Sequence, residues 1–353
     1  MNTTLSLKDR LNHALNGDIV TPPVYLVYDW FIMNRQIDWQ RLFDLGLGRI
    51  NHTSLLEIEC PHLKIEELVS NNSKYKKTEV RWITDIGELH ECTIDGWKSE
   101  YLVKTTDDYK IMKRAFEDVK FTPTNKYFEE SEQTLGELGI SIGQLGQFND
   151  IGYLRTPFQV IQIDFTGLEQ FSMDISMELP ELMELLEMMN AQMLDAFNCA
   201  AKTKAKHIKL WENLSIETMG PDLYRKHLVP IYNKIVNILD ISGKKLHVHY
   251  DGKLHLIADE IKKLGFEGLD SLTPPPEGDI GIKEARQLWP EKFFWIHPSL
   301  TWDALPDSKI TDNIIQLIRD AGSGFCLQLS EEVPPNWERT IPLILKTING
   351  YSH

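Results

Sequence analysis

The sequence predicts an α/β protein built as a single (β/α)₈ TIM barrel. Short apolar runs rich in β-formers alternate along the chain with longer helical patterns, as expected of parallel strands joined by helices. Eight such runs can be counted, which is the number that closes this kind of barrel, and 353 residues lie within its size range. The predicted strands are Val24–Tyr28, Arg49–Thr53, Ile140–Leu145, His207–Trp211, Lys245–His249, Gly268–Leu272, Phe293–His297 and Phe325–Leu329.

Helical patterns fill most of the intervals between these strands. The clearest helix covers Glu178–Ala205, where leucine, methionine and alanine recur at helical spacing and Pro180 lies near the first turn. Two further helices are predicted at Pro221–Asp240 and Leu254–Leu264. Since no linker rich in proline, glycine or serine divides the chain, we expect one domain over residues 1–353.

The segment Glu79–Val103 departs from this alternation. It contains three alternating runs, Val80–Thr84, Glu88–Thr93 and Ser99–Val103, and turn signals of aspartate and glycine separate them. We therefore expect a small antiparallel β-meander at residues 79–103, inserted into the barrel.

Composition argues against several classes of function. The chain is 42% hydrophobic and 25% charged, which is ordinary for a globular protein with a large core. A net charge of −15 disfavours nucleic acid as a partner, because most of the surface would repel a polyanion. The four cysteines form no CxxC pair, which favours a reducing compartment over a disulfide framework or a thiolate zinc knuckle. Without a signal peptide or an apolar run of about 20 residues, we expect a cytoplasmic protein with no membrane partner.

The active site of such a barrel lies at the C-terminal ends of its strands. The residues at these predicted ends are unusually polar, which predicts a site there. They are Tyr28, Asp29, Trp30, His52, Gln144, Gln147, Glu212, Asn213, His247, His249, Asp251, Thr273, His297, Ser330, Glu331 and Glu332. The substrate-binding candidates among them are Tyr28, Trp30, Gln147 and His297.

The densest cluster of candidates is the run Leu246-His-Val-His-Tyr-Asp-Gly252 on the fifth strand. Because side chains alternate along a strand, His247, His249 and Asp251 share one side, which in a barrel strand is a candidate for the lumen. Two imidazoles and a carboxylate suit a divalent metal, to which Glu331 from the last strand end would add an oxygen ligand. The alternative is that His247 packs in the barrel interior, hydrogen-bonded and neutral, while His249 and Asp251 bind substrate without a metal.

Three single residues leave alternatives open. Glu212 follows a buried strand, where it would act as a general base, a metal ligand or a substrate anchor, or would only accept hydrogen bonds from loop amides. His297 would hydrogen-bond a loop or contact substrate. Cys326 lies within the last predicted strand, where a small buried thiol is the default over a ligand or a nucleophile.

Several stretches together carry a family resemblance. They are Trp211-Glu-Asn213, Met219-Gly-Pro221, Leu228-Val-Pro230, His249-Tyr-Asp-Gly252, Thr273-Pro-Pro-Pro-Glu-Gly-Asp279 with Ala285 and Trp289, and Ser330-Glu-Glu-Val-Pro-Pro335. From about Leu5 to Ile348 the chain resembles the uroporphyrinogen decarboxylase superfamily, and its cobalamin-dependent methyltransferase branch more closely than the true decarboxylases. This resemblance implies a single distorted (β/α)₈ barrel with a deep cleft at its C-terminal mouth.

Two departures from the family's patterns bear on the expected chemistry. True decarboxylases hold their substrate's carboxylates with arginines of an Arg-Gln-Ala-Gly-Arg motif, whereas Tyr25–Phe31 contains no arginine, which argues against porphyrinogen decarboxylation. The methyltransferases bind zinc through a His-x-Cys-Gly motif and a later cysteine. Aligned on the shared glycine, these positions hold His249, Asp251 and, near the second cysteine, Glu331. A ligand set of one histidine and two carboxylates consists of harder Lewis bases than a set with thiolates. It is therefore better suited to a metal that activates an oxygen.

The resemblance therefore implies a corrinoid-linked methyltransferase as the first hypothesis. A divalent metal, zinc by the resemblance, would be held by His249, Asp251 and Glu331, with His247 and Glu212 assisting. The substrate would be a small methyl donor or acceptor, for example an O-methyl compound, and a separate corrinoid protein would supply the corrinoid.

Two other hypotheses stay open. One is a carboxy-lyase that acts without a metal on a tetrapyrrole or another small acid, with Asp29 or Glu212 as the catalytic residue that moves a proton. The other is a barrel that binds a small ligand and performs no chemistry.

Overall fold

Eight parallel strands close into a barrel in the computed structural model, which describes residues 5–34, 36–71, 75–148, 151–330 and 332–351. Each strand lies within one residue, at either end, of a strand predicted from the sequence, so the predicted TIM barrel is confirmed. The barrel strands are β1 (Tyr25–Tyr28), β2 (Gly48–Ser54), β3 (Gly139–Gln144), β4 (His207–Leu210), β5 (Lys245–His249), β6 (Gly268–Leu272), β7 (Phe293–Ile296) and β8 (Phe325–Gln328).

The strands follow one another around the barrel in chain order, and β8 closes it against β1. Tyr25 pairs with Leu327 at this closure, while Val27 pairs with Arg49 of β2. Because all eight strands run parallel, their C-terminal ends meet at one mouth, as the sequence argument requires.

Helices occupy most of the intervals between barrel strands. The predicted helix Pro221–Asp240 begins as Pro221–Leu223, passes through a π-helical stretch at Tyr224–Leu228, and continues as Val229–Ile241. The others in this part of the chain are Leu7–Leu15, Trp39–Asp44, Lys126–Leu135, Ile216–Met219, Ala258–Lys263, Ile282–Leu288, Asp307–Ala321 and Trp337–Asn349, with 3₁₀ turns at Asp29–Met33, Gly136–Leu138, His255–Ile257 and Leu300–Ala304.

The lower lumen, toward the N-terminal ends of the strands, is an apolar core. The helix Leu7–Leu15 buries Leu11, Ala14 and Leu15 in it. Cys326 is fully buried there, as expected of a small thiol in a strand. We define the lower lumen by the barrel residues of this cluster: Val24, Leu26, Ile50, Ile140, Ile142, Phe293, Trp295 and Cys326.

The chain divides into two compact units, and the barrel belongs to the unit made of Met1–Thr53, Asn125–Gln144 and Lys204–His353. The second unit, Ser54–Thr124 with Leu145–Thr203, contains the helices Thr106–Phe116, Pro157–Gln159, Leu168–Ser176 and Pro180–Ala200, with a π-helical stretch at Val160–Thr166. Pro180–Ala200 is the core of the helix predicted at Glu178–Ala205. The second unit also contains a four-stranded sheet, described next, and two short strand pairs. These pairs are Leu56–Glu59 with Lys120–Pro123, and Gln147–Phe148 with Ile151–Gly152.

An antiparallel sheet of four strands occupies the place of the predicted three-stranded meander. Its strands are Lys64–Asn71, Lys76–Ile83, Glu88–Ile94 and Trp97–Glu100, paired in chain order. The sheet therefore begins earlier than the predicted boundary at Glu79 and ends at Glu100. Among the helices of the described residues, none is both long and apolar enough to cross a membrane.

Candidate active site at the barrel mouth

Polar and aromatic side chains replace the apolar ones at the upper end of the lumen. Because strand side chains alternate, the residue two positions after a lower-lumen residue also points inward, as Tyr28 does after Leu26 and His52 after Ile50. These side chains contact one another across the barrel. We define this mouth cluster as Tyr28, His52, Lys209, Trp211, His249, Asp270, His297 and Gln328.

A buried ion pair lies at the centre of the mouth cluster. Lys209 Nζ lies 2.5 Å from Asp270 Oδ2, and the two side chains are 2% and 3% exposed. The Lys209 ammonium also lies 3.4 Å from the ring centroid of Trp211 and 4.6 Å from that of Tyr28. Burial raises the pKa of Asp270, but the attraction of Lys209 and the hydrogen bond from His249 outweigh it and hold that pKa well below its usual range. Asp270 is therefore an ionised carboxylate.

A distortion of β6 brings two consecutive side chains into this network. The register of β6 against β7 shifts between Leu269 and Leu272, and Ser271 has a φ of 60°, in the left-handed region. Such a conformation breaks the ordinary alternation of side chains. As a result Asp270 and its neighbour Ser271 both contact the imidazole of His249.

The ring of His249 is oriented by these two residues. Its Nδ1 lies 2.7 Å from Asp270 Oδ2 and 3.0 Å from Ser271 Oγ. Because an ionised carboxylate only accepts, Nδ1 donates its proton to Asp270. The other ring nitrogen, Nε2, lies 3.8 Å from Asp251 Oδ2, and Asp251 is 32% exposed.

The Tyr28 hydroxyl contacts side chains from the ends of three other strands, β6, β7 and β8. Its hydroxyl lies 3.0 Å from Gln328 Oε1, 3.3 Å from His297 Nε2 and 3.3 Å from Asp270 Oδ2. His297 is fully buried, and burial, with the repulsion of His249 and Lys209, lowers its pKa to about 3 although Asp270 opposes this. Two of the predicted substrate-binding residues, Tyr28 and His297, therefore belong to the interior hydrogen-bond network, and the Tyr28 hydroxyl is directed into it.

An aromatic wall covers this network on the side of β1 and β2. The Trp30 ring stacks on Tyr28 at a centroid distance of 4.3 Å and lies 5.2 Å from the Trp211 ring. Trp211 Nε1 donates to Gln144 Oε1 at 2.9 Å, which fixes that ring. Trp30 is 42% exposed, so part of the aromatic wall is open to solvent.

Asp29 holds His52 at the rim of the wall. Asp29 Oδ1 lies 3.2 Å from His52 Nδ1, and Asp29 Oδ2 accepts a hydrogen bond from the His52 backbone N–H at 3.0 Å. Burial raises the pKa of Asp29, but the hydrogen bonds from His52 outweigh it, and the net pKa is below its usual range. Near neutral pH Asp29 is therefore ionised, which does not suit the role of a proton donor.

The structure separates His247 from His249. His247 lies deeper, where Trp295 Nε1 donates to its Nδ1 at 2.9 Å and its Nε2 lies 2.9 Å from His207 Nδ1. Burial holds its pKa well below the usual range, so the ring is neutral. A Cβ at Gly268 would lie 2.1 Å from His247 Nδ1, so only glycine leaves room for this ring. This is the placement described by the alternative that His247 packs in the barrel interior.

Glu212 lies two residues past the end of β4. It is fully buried and acts electrostatically on three tyrosines, Tyr224, Tyr232 and Tyr250, each of whose pKa values burial raises in the first place. The Tyr224 and Tyr250 hydroxyls are 3.1 Å apart. The structure therefore groups Glu212 with these tyrosines and not with the mouth cluster.

Two predicted site residues give no further geometry. Glu331 lies outside the described residues. Gln147 lies in the short strand Gln147–Phe148 of the second unit.

Sequence reasoning missed Lys209 and Asp270 and did not single out His52 from the other strand ends. A signal existed for the first two, because each is a charged residue inside an apolar strand, and Lys209 is also in phase with Trp211. What the sequence does not reveal is that they pair, since 61 positions separate them.

The arrangement around His249 fits a divalent metal in its donor chemistry. A metal-binding histidine commonly donates its other ring N–H to a carboxylate, as His249 does to Asp270. Its Nε2 and the Asp251 carboxylate lie 3.8 Å apart. Within the described ranges, no three histidine, cysteine or acidic residues group as a metal site.

Comparison with known proteins gives the following. No protein-family model matches the chain, and no curated protein matches it. The barrel is similar to a B12-independent methionine synthase from Shewanella sp. W3-18-1, at 10% identity and a TM-score of 0.40 over 89% of this chain and 85% of that one. It is also similar to a citrate lyase from Burkholderia xenovorans LB400, at 9% identity and a TM-score of 0.33 over 94% and 81%.

A third similar structure is a GH20 catalytic module of the pneumococcal exo-β-D-N-acetylglucosaminidase, at 10% identity and a TM-score of 0.38 over 93% of this chain and 84% of that one. At such identities and TM-scores these similarities carry no argument about the reaction. The fold rests on the strand order of the barrel itself.

Proposed function

We propose that the chain is an enzyme that transfers a methyl group between a small methylated substrate and a corrinoid protein, with assistance from a divalent metal. The observation that carries the proposal is the fixed orientation of His249, whose Nδ1 is held by Asp270 and whose Nε2 faces Asp251. The motif resemblance to cobalamin-dependent methyltransferases supplies the reaction class, because its zinc-binding histidine aligns with His249.

In this proposal His249, Asp251 and Glu331 hold the metal, and zinc is the ion that such nitrogen and oxygen donors suit. When bound, the ion would act as a Lewis acid on the heteroatom that carries the methyl group, and a set without thiolates favours an oxygen. Asp270 keeps His249 in the tautomer that presents Nε2.

Lys209 has an electrostatic part in the same site. It neutralises the buried carboxylate of Asp270, so that the carboxylate stays ionised in spite of its burial. Trp211 and Tyr28 cover the ammonium on their ring faces. The charges of this buried pair thus balance each other inside the barrel.

The mouth would receive two partners. Trp30 offers an exposed apolar surface for the small substrate beside Asp29. The corrinoid would come from a separate protein that docks over the mouth.

A methyl-transfer assay tests the proposal. The zinc-loaded chain is mixed under anaerobic conditions with cob(I)alamin and a panel of donors: an aryl methyl ether, methanol, a methylamine and dimethyl sulfide. The formation of methylcobalamin is followed by its absorption spectrum, and bound zinc is counted by elemental analysis.

We expect His249→Ala to lose both the bound zinc and more than about 99% of the transfer rate, since a metal ligand and its Lewis acid disappear together. The matched control is His255→Ala, which removes an imidazole that is 61% exposed. Zinc content and transfer rate that are unchanged in His249→Ala would contradict the proposal.

A further inference from the structure

A second histidine at the mouth is held by a carboxylate in the same way as His249. Asp29 binds His52 through both carboxylate oxygens, one on Nδ1 and one on the backbone N–H, which fixes the position and the rotation of the ring. The rings of Trp211, Tyr28 and Trp30 surround the imidazole at centroid distances of 4.6, 5.4 and 5.5 Å. Only 5% of the side chain is exposed, so the ring cannot turn away.

This geometry determines which nitrogen carries the proton. Asp29 is an acceptor, so His52 Nδ1 donates to it and Nε2 carries the lone pair. Among the described residues, Nε2 has no hydrogen-bond partner, whereas both nitrogens of His247 have one. Burial and the repulsion of Lys209 lower the pKa of His52 more than Asp29 and Asp270 raise it, so the ring is neutral near pH 7.

We propose that His52 is a catalytic general base at the barrel mouth and that Asp29 is its positioning residue. This inference rests on the proposed methyl transfer and adds to it the chemical class of the acceptor, a small molecule with an ionisable X–H group, where X is oxygen or sulfur. Asp29 also stabilises the imidazolium that forms when His52 accepts the proton, as a carboxylate does for a catalytic histidine.

The step balances as follows. The X–H bond breaks and its proton goes to His52 Nε2; the electron pair of X forms the new bond to the methyl carbon; and the electron pair of the carbon–cobalt bond remains with the corrinoid of the partner protein. His52 then releases its proton to water. In the opposite direction the imidazolium returns the proton to X, by microscopic reversibility.

A pair of acceptors tests the base directly. The rate of methyl transfer from methylcobalamin is measured with 2-mercaptoethanol, which is mostly protonated near neutral pH, and with thiophenol, which is mostly ionised. For His52→Gln we expect a loss of about 10²-fold or more with 2-mercaptoethanol and a loss of less than about threefold with thiophenol, because an acceptor that is already ionised needs no base. Equal losses with the two thiols would mean that His52 is only structural and would overturn the proposal.

A second measurement does not depend on methyl transfer. Two-dimensional NMR of the chain labelled with ¹⁵N-histidine reports the tautomer of His52, whose signals are assigned by their loss in His52→Gln. At pH 7 we expect a neutral ring with the proton on Nδ1, and in Asp29→Asn a shift of the population toward the Nε2 tautomer. A proton on Nε2 in the wild-type chain would overturn the proposal whether or not any thiol is methylated. The expected tautomer in a chain that forms methylcobalamin from none of the donors in the panel would instead count against the proposed function.

Discussion

The lumen of the barrel changes character between neighbouring inward positions of the same strands. In β1 the buried Leu26 is followed two residues later by Tyr28, and in β8 Cys326 is followed by Gln328. The lower lumen is packed with apolar side chains, while the mouth cluster contains a buried ion pair and a hydrogen-bond network. One lumen thus combines a core that stabilises the barrel with a layer whose burial is costly in itself.

The lower lumen and the mouth cluster differ in how their burial affects stability. Apolar burial stabilises by about 25 cal/mol per Å², and it depends little on which side chain supplies the area. The buried charges of Lys209 and Asp270 depend on each other, because each loses its hydration and keeps only its partner. The lower lumen should therefore tolerate conservative changes, whereas the mouth cluster should fail when a single partner is lost.

The largest effect on stability is expected from Asp270→Asn. This change leaves the Lys209 ammonium buried without its counter-charge, and we expect a loss of about 3–5 kcal/mol in the free energy of unfolding, measured with urea. Lys209→Met combined with Asp270→Asn should recover part of this loss, since no uncompensated charge remains.

The matched control for the ion pair is Lys253→Met. Lys253 pairs with Glu217 at 2.7 Å, but both side chains are exposed, so we expect no measurable change in the urea midpoint. A double variant that is less stable than Asp270→Asn alone would contradict the account of the buried pair.

A cavity in the lower lumen should reduce stability without affecting the site. Ile50→Ala removes buried methyl groups from the apolar cluster, for which we expect a loss of about 2–5 kcal/mol in the free energy of unfolding. Zinc content of the folded variant should equal that of the wild type. If zinc is lost as well, the two halves of the lumen are not separable in the way described.

A smaller effect is expected on the pH dependence of stability, through His207. Burial lowers the pKa of His207 from 6.5 to about 4, and its Nδ1 lies 2.9 Å from His247 Nε2. Between these two values the unfolded chain binds more protons than the folded one, so stability falls as the pH decreases from 6.5 toward 4. For this histidine alone the loss amounts to at most about 3.5 kcal/mol, at about 1.4 kcal/mol per unit of pKa.

His207→Gln should reduce the fall in the free energy of unfolding between pH 6.5 and pH 4, whereas His255→Gln, at an exposed position, should not. The check is the urea midpoint measured at intervals from pH 7 to pH 4. An unchanged slope in His207→Gln would show that the ring is not held neutral in the folded protein.

The sequence was sufficient for the barrel but not for the first strand of the added sheet. Barrel strands are buried on both faces and appear as continuous apolar runs such as Phe293–Ile296. The strand Lys64–Asn71 lacks such a run because charged and apolar residues are mixed on both of its faces, as in Glu67 beside Leu68 and Val69. A strand with polar residues on both faces carries no periodic signal.

The site could be predicted only where its residues lie near one another in the chain. His249 and Asp251 are two positions apart, and the period of a strand places them together. Asp270 holds His249 through a contact between neighbouring strands, and Ser271 does so only because β6 is distorted, which no period predicts. Glu212 lies two residues past the end of β4, where strand alternation no longer applies, and the tyrosines it acts on come from later parts of the chain.

X-ray absorption at the zinc edge shows whether His249 is a ligand of the proposed metal and whether the site lacks sulfur. We expect nitrogen and oxygen neighbours only, at about 2.0–2.2 Å, with the outer-shell pattern of an imidazole that disappears in His249→Ala. Sulfur neighbours at about 2.3 Å, or a wild-type chain that binds no zinc when zinc is supplied, would contradict this expectation.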